Sequence, residues 1–170
     1  MNAIKERKIV YTSGQIAERV RAMAAEIDAF YGDEPLVAVC VLKGAVFFFT
    51  DLVRAMRSEN LELDFVRLSS YGKGTSSSRH VVFSKDVDCD ITGKHVLIVE
   101  DAVDSEARGA RSLRLAALVD KNERREVDVR VDFAGFKLEE GFIVGYGLDY
   151  AEKYRALPDV EELVFESAGD

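Results

Sequence analysis

The sequence predicts an α/β fold built on a central parallel sheet, and three observations lead there. Two uninterrupted apolar runs rich in β-branched residues, LVAVCVL at residues 36–42 and VLIV at residues 96–99, suit strands buried on both faces of such a sheet. Stretches of helical spacing lie on either side of the first run. Straight after the runs come Lys43 and Gly44 in one case and Glu100, Asp101 and Asp104 in the other. That is the edge at which open α/β sheets bind their ligands.

The chain of 170 residues fits one domain spanning 1–170 and is long enough to bury a sizeable core. A formal charge of -8 disfavours a broad nucleic-acid surface, since phosphate backbones are bound through clustered Lys and Arg. Only two cysteines are present, Cys40 in an apolar run and Cys89 in an acidic turn. They make no disulfide framework, which favours a reducing interior. The first residues, MNAIKERKIVYTSG, lack the apolar core of a signal peptide, and no apolar run approaches the ~20 residues that span a bilayer. A cytoplasmic protein, with no membrane and no nucleic acid among its partners, is the expectation.

Thr12 and Gln15 have the spacing of a capping box, so a helix should follow. Ile16, Val20, Met23, Ile27 and Phe30 form its apolar stripe, which ends near Gly32. After the strand at residues 36–42, residues 45–57 read as a second helix with Val46, Phe49, Leu52, Val53 and Met56 on one side, and Phe47, Phe48 and Phe49 read as core. Leu61, Leu63 and Phe65 alternate with polar residues as in a half-buried strand. The Gly- and Ser-rich stretch SSYGKGTSSSRH at residues 69–80 is a loop before a strand at residues 81–84, either a lid that includes Ser70 and has Tyr71 as its one anchoring side chain or a plain hairpin connection. Residues 112–119 read as a strand ending on Asp120 and Lys121, and Val127, Val129 and Val131 alternate with charged residues. Phe142 to Tyr146 is a short apolar run, residues 150–156 a helical turn before Pro158, and residues 163–165 a final edge strand.

Three carboxylates gather where the strand at residues 96–99 ends, and like charges so close repel unless a cation, a positive substrate centre or a proton joins them. Read from the residues alone, the cluster is a ligand site or a solvated acidic turn. Lys43 and Gly44 are a binding turn or a simple strand-to-helix connection, and Lys121 projects into the same crevice or belongs to a solvated basic loop with Arg124 and Arg125.

Four stretches together carry a family resemblance: VLKG at residues 41–44, SSYG at 69–72, VLIVED at 96–101 followed by Asp104, and GFIVGYGLDYAEKYRALP at 141–158. In this order, nearly end to end, the chain resembles the hypoxanthine-guanine phosphoribosyltransferases. The resemblance implies a type I phosphoribosyltransferase fold, a parallel sheet flanked by helices with a small hood built from the terminal segments. It also implies a reaction joining hypoxanthine or guanine to phosphoribosyl diphosphate, giving IMP or GMP and pyrophosphate. Adenine would be rejected, because a lysine donating to the 6-oxo group would face the exocyclic amine.

By the same resemblance, Asp104 is the general base at the purine N7. Glu100 and Asp101 hold the ribose hydroxyls and one Mg2+, with Ser105 on the 5'-phosphate. Lys121 donates to the 6-oxo group, Phe142 stacks on the base, and Ile143 offers its backbone to the base edge. Asp149 lies beside the purine and on a second Mg2+. Lys43, Gly44 and Arg155 hold pyrophosphate, with a cis peptide before Lys43. A homodimer or homotetramer is implied.

Two places depart from the family pattern. From the position of Asp104, relatives run Asp-Thr-Gly-x-Thr into a helix whose amino end cradles the 5'-phosphate, whereas in this chain Asp104 is followed by SEARGARSL, in which Ser105 stands for the first hydroxyl and the motif's glycine and second threonine are absent. It is short there by about one loop and three helical turns, and a chain break between Ser105 and Glu106 is expected. Gly141 stands where relatives usually carry Lys or Arg. If the phosphate loop is absent, the competing reading is a non-catalytic regulator or nucleotide sensor. A phospho-acceptor signalling domain groups similar residues, but its acid pair follows the first strand.

Overall fold

The structure is a computed structural model that describes residues 3–71, 80–101, 111–121 and 131–166, with the side chains of 68–71 and 80–84 outside the description. In chain order the elements are β1 (Ile4–Tyr11), α1 (Ser13–Tyr31), β2 (Leu36–Leu42), α2 (Val46–Ala55), β3 (Leu61–Tyr71), β4 (His80–Lys85), β5 (His95–Glu100), β6 (Ser112–Lys121), β7 (Phe133–Leu138), β8 (Ile143–Val144) and β9 (Val160–Phe165).

Six strands form the main sheet in the order β4-β3-β2-β5-β6-β7. All its neighbours run parallel except β3 and β4. From β2 the chain proceeds to β3 on one side, and from β5 to β6 on the other. The reversal of strand order therefore falls between β2 and β5, the two continuous apolar runs of the sequence. Each is buried along almost its whole length, as a central strand covered on both faces must be.

Helix α1 begins with the expected reciprocal cap: Gln15 N–H donates to the Thr12 hydroxyl, and Gln15 Oε1 accepts from Thr12 N–H at 2.9 Å. Its buried stripe is Ile16, Val20, Met23, Ala24, Ile27 and Tyr31. Tyr31, one turn after Ile27, takes the place expected of Phe30, which is 52% exposed and lies under the Arg114 guanidinium. Both described helices pack on one face, joining Ala38, Cys40, Leu97, Val99, Ala116 and Leu118 in one core. Each fully buried Leu, Val, Ile, Phe or Met side chain there contributes about 1.5–3 kcal/mol. In α2 the buried residues are Phe48, Phe49 and Leu52, whereas Phe47 is exposed on the side toward Tyr146.

The other face gathers Val37, Val39, Val41, Val66, Val96, Ile98 and Leu115 beneath Val87, Cys89, Ile91 and Val131. The segment carrying Val87 and Cys89 is tied down by Asp64, a buried carboxylate that accepts from the backbone N–H of Phe65, Asp88 and Cys89 at 2.7, 2.7 and 2.9 Å. Burial alone would raise its pKa, but those N–H donors more than offset burial and hold it well below the usual carboxylate range.

The hood is a second sheet of three antiparallel strands in the order β1-β9-β8. Strand β9 is thus central rather than the expected edge, because β1, unforeseen among the charges of IKERKIVY, pairs with its outer side. Strand β7 was likewise unforeseen. The alternation at Val127, Val129 and Val131 falls partly outside the described residues, and the strand lies instead at Phe133–Leu138, parallel to β6. No described helix is long and apolar enough to cross a membrane.

Candidate active site

Strands β2, β5 and β6 are in register, with Cys40 beside Val99 and Glu100 beside Ala117, so Lys43-Gly44, Glu100-Asp101 and Asp120-Lys121 leave the sheet at one edge. The first two pairs flank the strand-order reversal, where the loops of an open α/β sheet part to leave a crevice. Glu100 is buried and Asp101 half-buried. The Leu42–Lys43 peptide is cis, as the resemblance implies. Gly44 passes directly against Asp101: a Cβ on Gly44 would stand 1.7 Å from Asp101 Oδ2.

The segment after β8 comes down over this edge from the hood. Gly147, at φ +105°, lies on the Gly44 backbone, and a Cβ there would be 1.9 Å from the Gly44 carbonyl oxygen. Tyr146 reaches across to α2, its hydroxyl donating to Asp51 Oδ2 at 2.6 Å. Burial, and then the Asp51 carboxylate, push the Tyr146 pKa upward.

Residues 150–156 do not make the expected helical turn. Tyr150 and Lys153 exchange both backbone hydrogen bonds, and Ala151 and Glu152 between them have φ of 53° and 63°. This is a two-residue hairpin of the kind that needs positive φ at both central positions. Neither residue favours that conformation, and a dense set of side-chain bonds holds it. Asp149 Oδ2 accepts from Glu152 N–H at 2.8 Å, and Asp149 Oδ1 meets Arg155 Nη2 at 2.7 Å. Arg155 Nη1 donates to the Gly147 carbonyl at 2.8 Å. The Glu152 carboxylate then bridges to Lys43, 2.9 Å away, and lies 3.5 Å from Arg155 Nη2. Its hydrogen bond from Lys43 lowers its pKa.

On the side of β6, Lys121 donates from Nζ to the Gly141 carbonyl at 2.9 Å, tying the main sheet to the segment that enters β8. Gly141 has φ +110°, a backbone that Lys or Arg would adopt only under strain, so the departure at this position is matched by the local conformation. Phe142 packs edge-on against Tyr150 and Phe165 with centroids 5.3 and 5.7 Å apart. Ile143 is buried in β8, the outer strand of the hood sheet, so part of its backbone faces away from β9.

The fold therefore brings Lys43, Gly44, Glu100, Asp101, Lys121, Phe142, Ile143, Asp149 and Arg155 to one side of the molecule, on the sheet edge and the hood above it. Asp104 and Ser105, the expected base and first phosphate ligand, lie outside the described residues, as does the junction between Ser105 and Glu106. Ser70 and Tyr71, read as loop, are the last residues of β3, their backbones paired with Val81 and His80. The loop proper, 72–79, is outside the description. Sequence reasoning missed Glu152, Tyr146 and Asp51; the alternation of acids and bases in DYAEKYR was the one visible signal for the first.

Among the described residues no three acidic, His or Cys side chains gather as a metal cage. Glu100 and Asp101 fit magnesium differently, as an ion that dehydrates reluctantly and takes most of its ligands from substrate oxygens and water.

The fold and edge chemistry are those of a phosphoribosyltransferase, and the phosphoribosyl transferase domain family matches residues 6–105. The hypoxanthine-guanine phosphoribosyltransferase of Bacillus subtilis is 39% identical over 94% of this chain and 96% of its own. The hypoxanthine-guanine-xanthine enzyme of Tritrichomonas foetus is 40% identical over 89% and 88%. The crystal structure of a hypoxanthine phosphoribosyltransferase from Staphylococcus aureus superposes with a TM-score of 0.85 at 35% identity, covering 95% of this chain and 92% of the other. The chain belongs to the hypoxanthine-guanine phosphoribosyltransferase family.

The comparison with the Bacillus protein also bears on the short junction. Its 174 aligned positions exceed the 170 residues of this chain and engage 94% of them, so about fourteen have no counterpart here. The family match ends at Ser105. Only residues 101–111 link the parallel neighbours β5 and β6, and 102–110 of them lie outside the described residues.

Proposed function

We propose that this protein transfers the 5-phosphoribosyl group from phosphoribosyl diphosphate to hypoxanthine or guanine, giving IMP or GMP and pyrophosphate in purine salvage. The observation that carries the reading is the meeting of the hood segment with the ends of three strands along one sheet edge: Gly44 against Asp101 and Gly147 on Gly44 at the strand-order reversal, and Lys121 of the neighbouring β6 under the entry to β8.

In the reaction the bond from C1 of the ribose to pyrophosphate breaks, positive charge builds on the ring, and a purine nitrogen forms the new bond. Glu100 and Asp101 accept from the ribose hydroxyls and favour that positive charge. Asp104 takes the proton from N7. Lys121 donates to the 6-oxo group, Phe142 stacks on the base, and the Ile143 backbone meets the base edge. Lys43, the Gly44 backbone and Arg155 bind pyrophosphate, and Ser105 binds the 5'-phosphate. Glu100, Asp101 and Asp149 are the residues to hold magnesium, which when bound offsets the charge growing on the leaving group. Ser70 and Tyr71, at the end of β3, lead into the segment read as a lid. The single domain, 1–170, works in the cytoplasm as a homodimer or homotetramer.

The test is a steady-state assay with phosphoribosyl diphosphate, magnesium and each of hypoxanthine, guanine, xanthine and adenine. IMP and GMP formation without AMP formation is expected. Binding of the diphosphate with no turnover on any base would overturn the reading.

A further inference from the structure

One carboxylate oxygen, Glu152 Oε2, lies 2.9 Å from Lys43 Nζ and 3.5 Å from Arg155 Nη2, the two cations that the functional reading assigns to pyrophosphate. The remaining bonds of Arg155 go to the Gly147 carbonyl and Asp149, which hold the guanidinium in place whether or not Glu152 stays. Lys43 comes from the sheet and Glu152 from the hood hairpin, so Glu152 is the one described group that draws the two cations onto a common anion. We propose that Glu152 is an internal competitor for the diphosphate: its carboxylate occupies the anion position shared by Lys43 and Arg155, and substrate must displace it.

Three features make displacement feasible. The Lys43 and Glu152 side chains are 51% and 66% exposed, and an ion pair so open to water is weak and salt-sensitive. A magnesium diphosphate offers several oxygens where Glu152 offers one, so it satisfies both cations at once. The backbone of Glu152 is fixed by Asp149 Oδ2, so its side chain alone has to swing away. The displaced carboxylate stays at the rim of the site, repels the anion that replaced it, and returns when pyrophosphate departs. Glu152 thus weakens substrate and product diphosphate alike, by the same factor.

The inference rests on the proposed transferase reading, and the experiment separates the two. Glu152→Gln keeps size and polarity but gives up the charge. In wild type and variant, KM for phosphoribosyl diphosphate and the inhibition constant of pyrophosphate are measured together with KM for hypoxanthine. Both diphosphate constants should fall about threefold, the size that an exposed pair carries, while KM for hypoxanthine and the melting temperature stay unchanged. A diphosphate KM that is unchanged or raised overturns the inference, since a residue that merely arranges the two cations would lose affinity on neutralisation. Calorimetric titration of both proteins with magnesium pyrophosphate reads the same position without turnover; tighter binding by the variant is expected there too, and equal or weaker binding overturns it. A wild-type protein that binds pyrophosphate but transfers nothing would sink the transferase reading and leave the calorimetric comparison decisive for Glu152.

Discussion

Gly44 and Asp101 occupy touching positions at the ends of neighbouring parallel strands, so closely that a Cβ on Gly44 would stand 1.7 Å from Asp101 Oδ2. The obstacle is the far end of a side chain rather than backbone. Gly44→Ala should therefore fold, with stability changed by less than about 1 kcal/mol, while pushing the Asp101 carboxylate out of place. Misplacing a group that orients substrate by about 1 Å costs on the order of 100-fold, and kcat/KM for phosphoribosyl diphosphate should drop by that much with the melting temperature nearly unmoved.

Gly147→Ala is expected to behave in the opposite way. Its Cβ would meet the Gly44 carbonyl oxygen at 1.9 Å, and its φ of +105° is unfavourable for alanine. Backbone cannot yield as a carboxylate does, so the variant should lose about 1–3 kcal/mol in urea unfolding. Wild-type stability would show that the hood loop does not rest on Gly44 in solution.

Lys121→Ala tests base recognition. The amine is held against the Gly141 carbonyl, on the side of the site opposite Lys43. Removing a donor to a buried oxo group should reduce hypoxanthine turnover by 100-fold or more, with little loss of stability. Unchanged hypoxanthine kinetics would rule out the assigned role.

Asp64 gives a pH-dependent prediction unrelated to catalysis. Its folded pKa is lowered by backbone donors that prevail over burial, so the native state binds its proton more weakly than the unfolded chain. The stability it supplies is present above the ordinary carboxylate pKa of about 3.9 and is lost as pH falls through the lowered folded value. Asp64→Asn should cost about 1–3 kcal/mol at neutral pH, and the gap to wild type should narrow on titration below about pH 4. A gap constant with pH would show that the charge of Asp64 contributes nothing.

A graft tests the short junction. Inserting between Ser105 and Glu106 the segment that follows the counterpart of Ser105 in the Bacillus subtilis relative should lower KM for phosphoribosyl diphosphate by 10-fold or more, on the reading that this segment carries the cradle for the 5'-phosphate. No change in KM would show that the native chain already holds the phosphate by other means.

The main sheet was legible because its central strands obey one rule: Leu36–Leu42 is buried on both faces and reads as unbroken apolar sequence. The sheet edge was legible for the same reason, since the functional residues follow such runs directly. Strand β1 was not, because IKERKIVY is mostly exposed and owes its conformation to pairing with β9 rather than to a buried face. The hairpin at Ala151 and Glu152 was not either. Its turn lacks the Asn or Gly that usually announces positive φ, and long side-chain bonds from Asp149 and Arg155 impose the conformation instead. The ion pair between Lys43 and Glu152 joins residues 109 apart in the chain, and no local pattern encodes it.

The pairing of β1 with β9 places Ile4 beside Phe165 and Tyr11 beside Val160. During synthesis the first strand has no hood partner until residues 160–165 have left the ribosome, by which time every strand of the main sheet has been made. The aromatic group of Phe142, Tyr150 and Phe165 is completed by that same closing strand. In the proposed reading the base-binding group is thus completed last, after the sheet edge proposed for ribose and diphosphate. In hydrogen exchange the order should run backwards, with amides of Ile4–Tyr11 exchanging well before those of Leu36–Leu42.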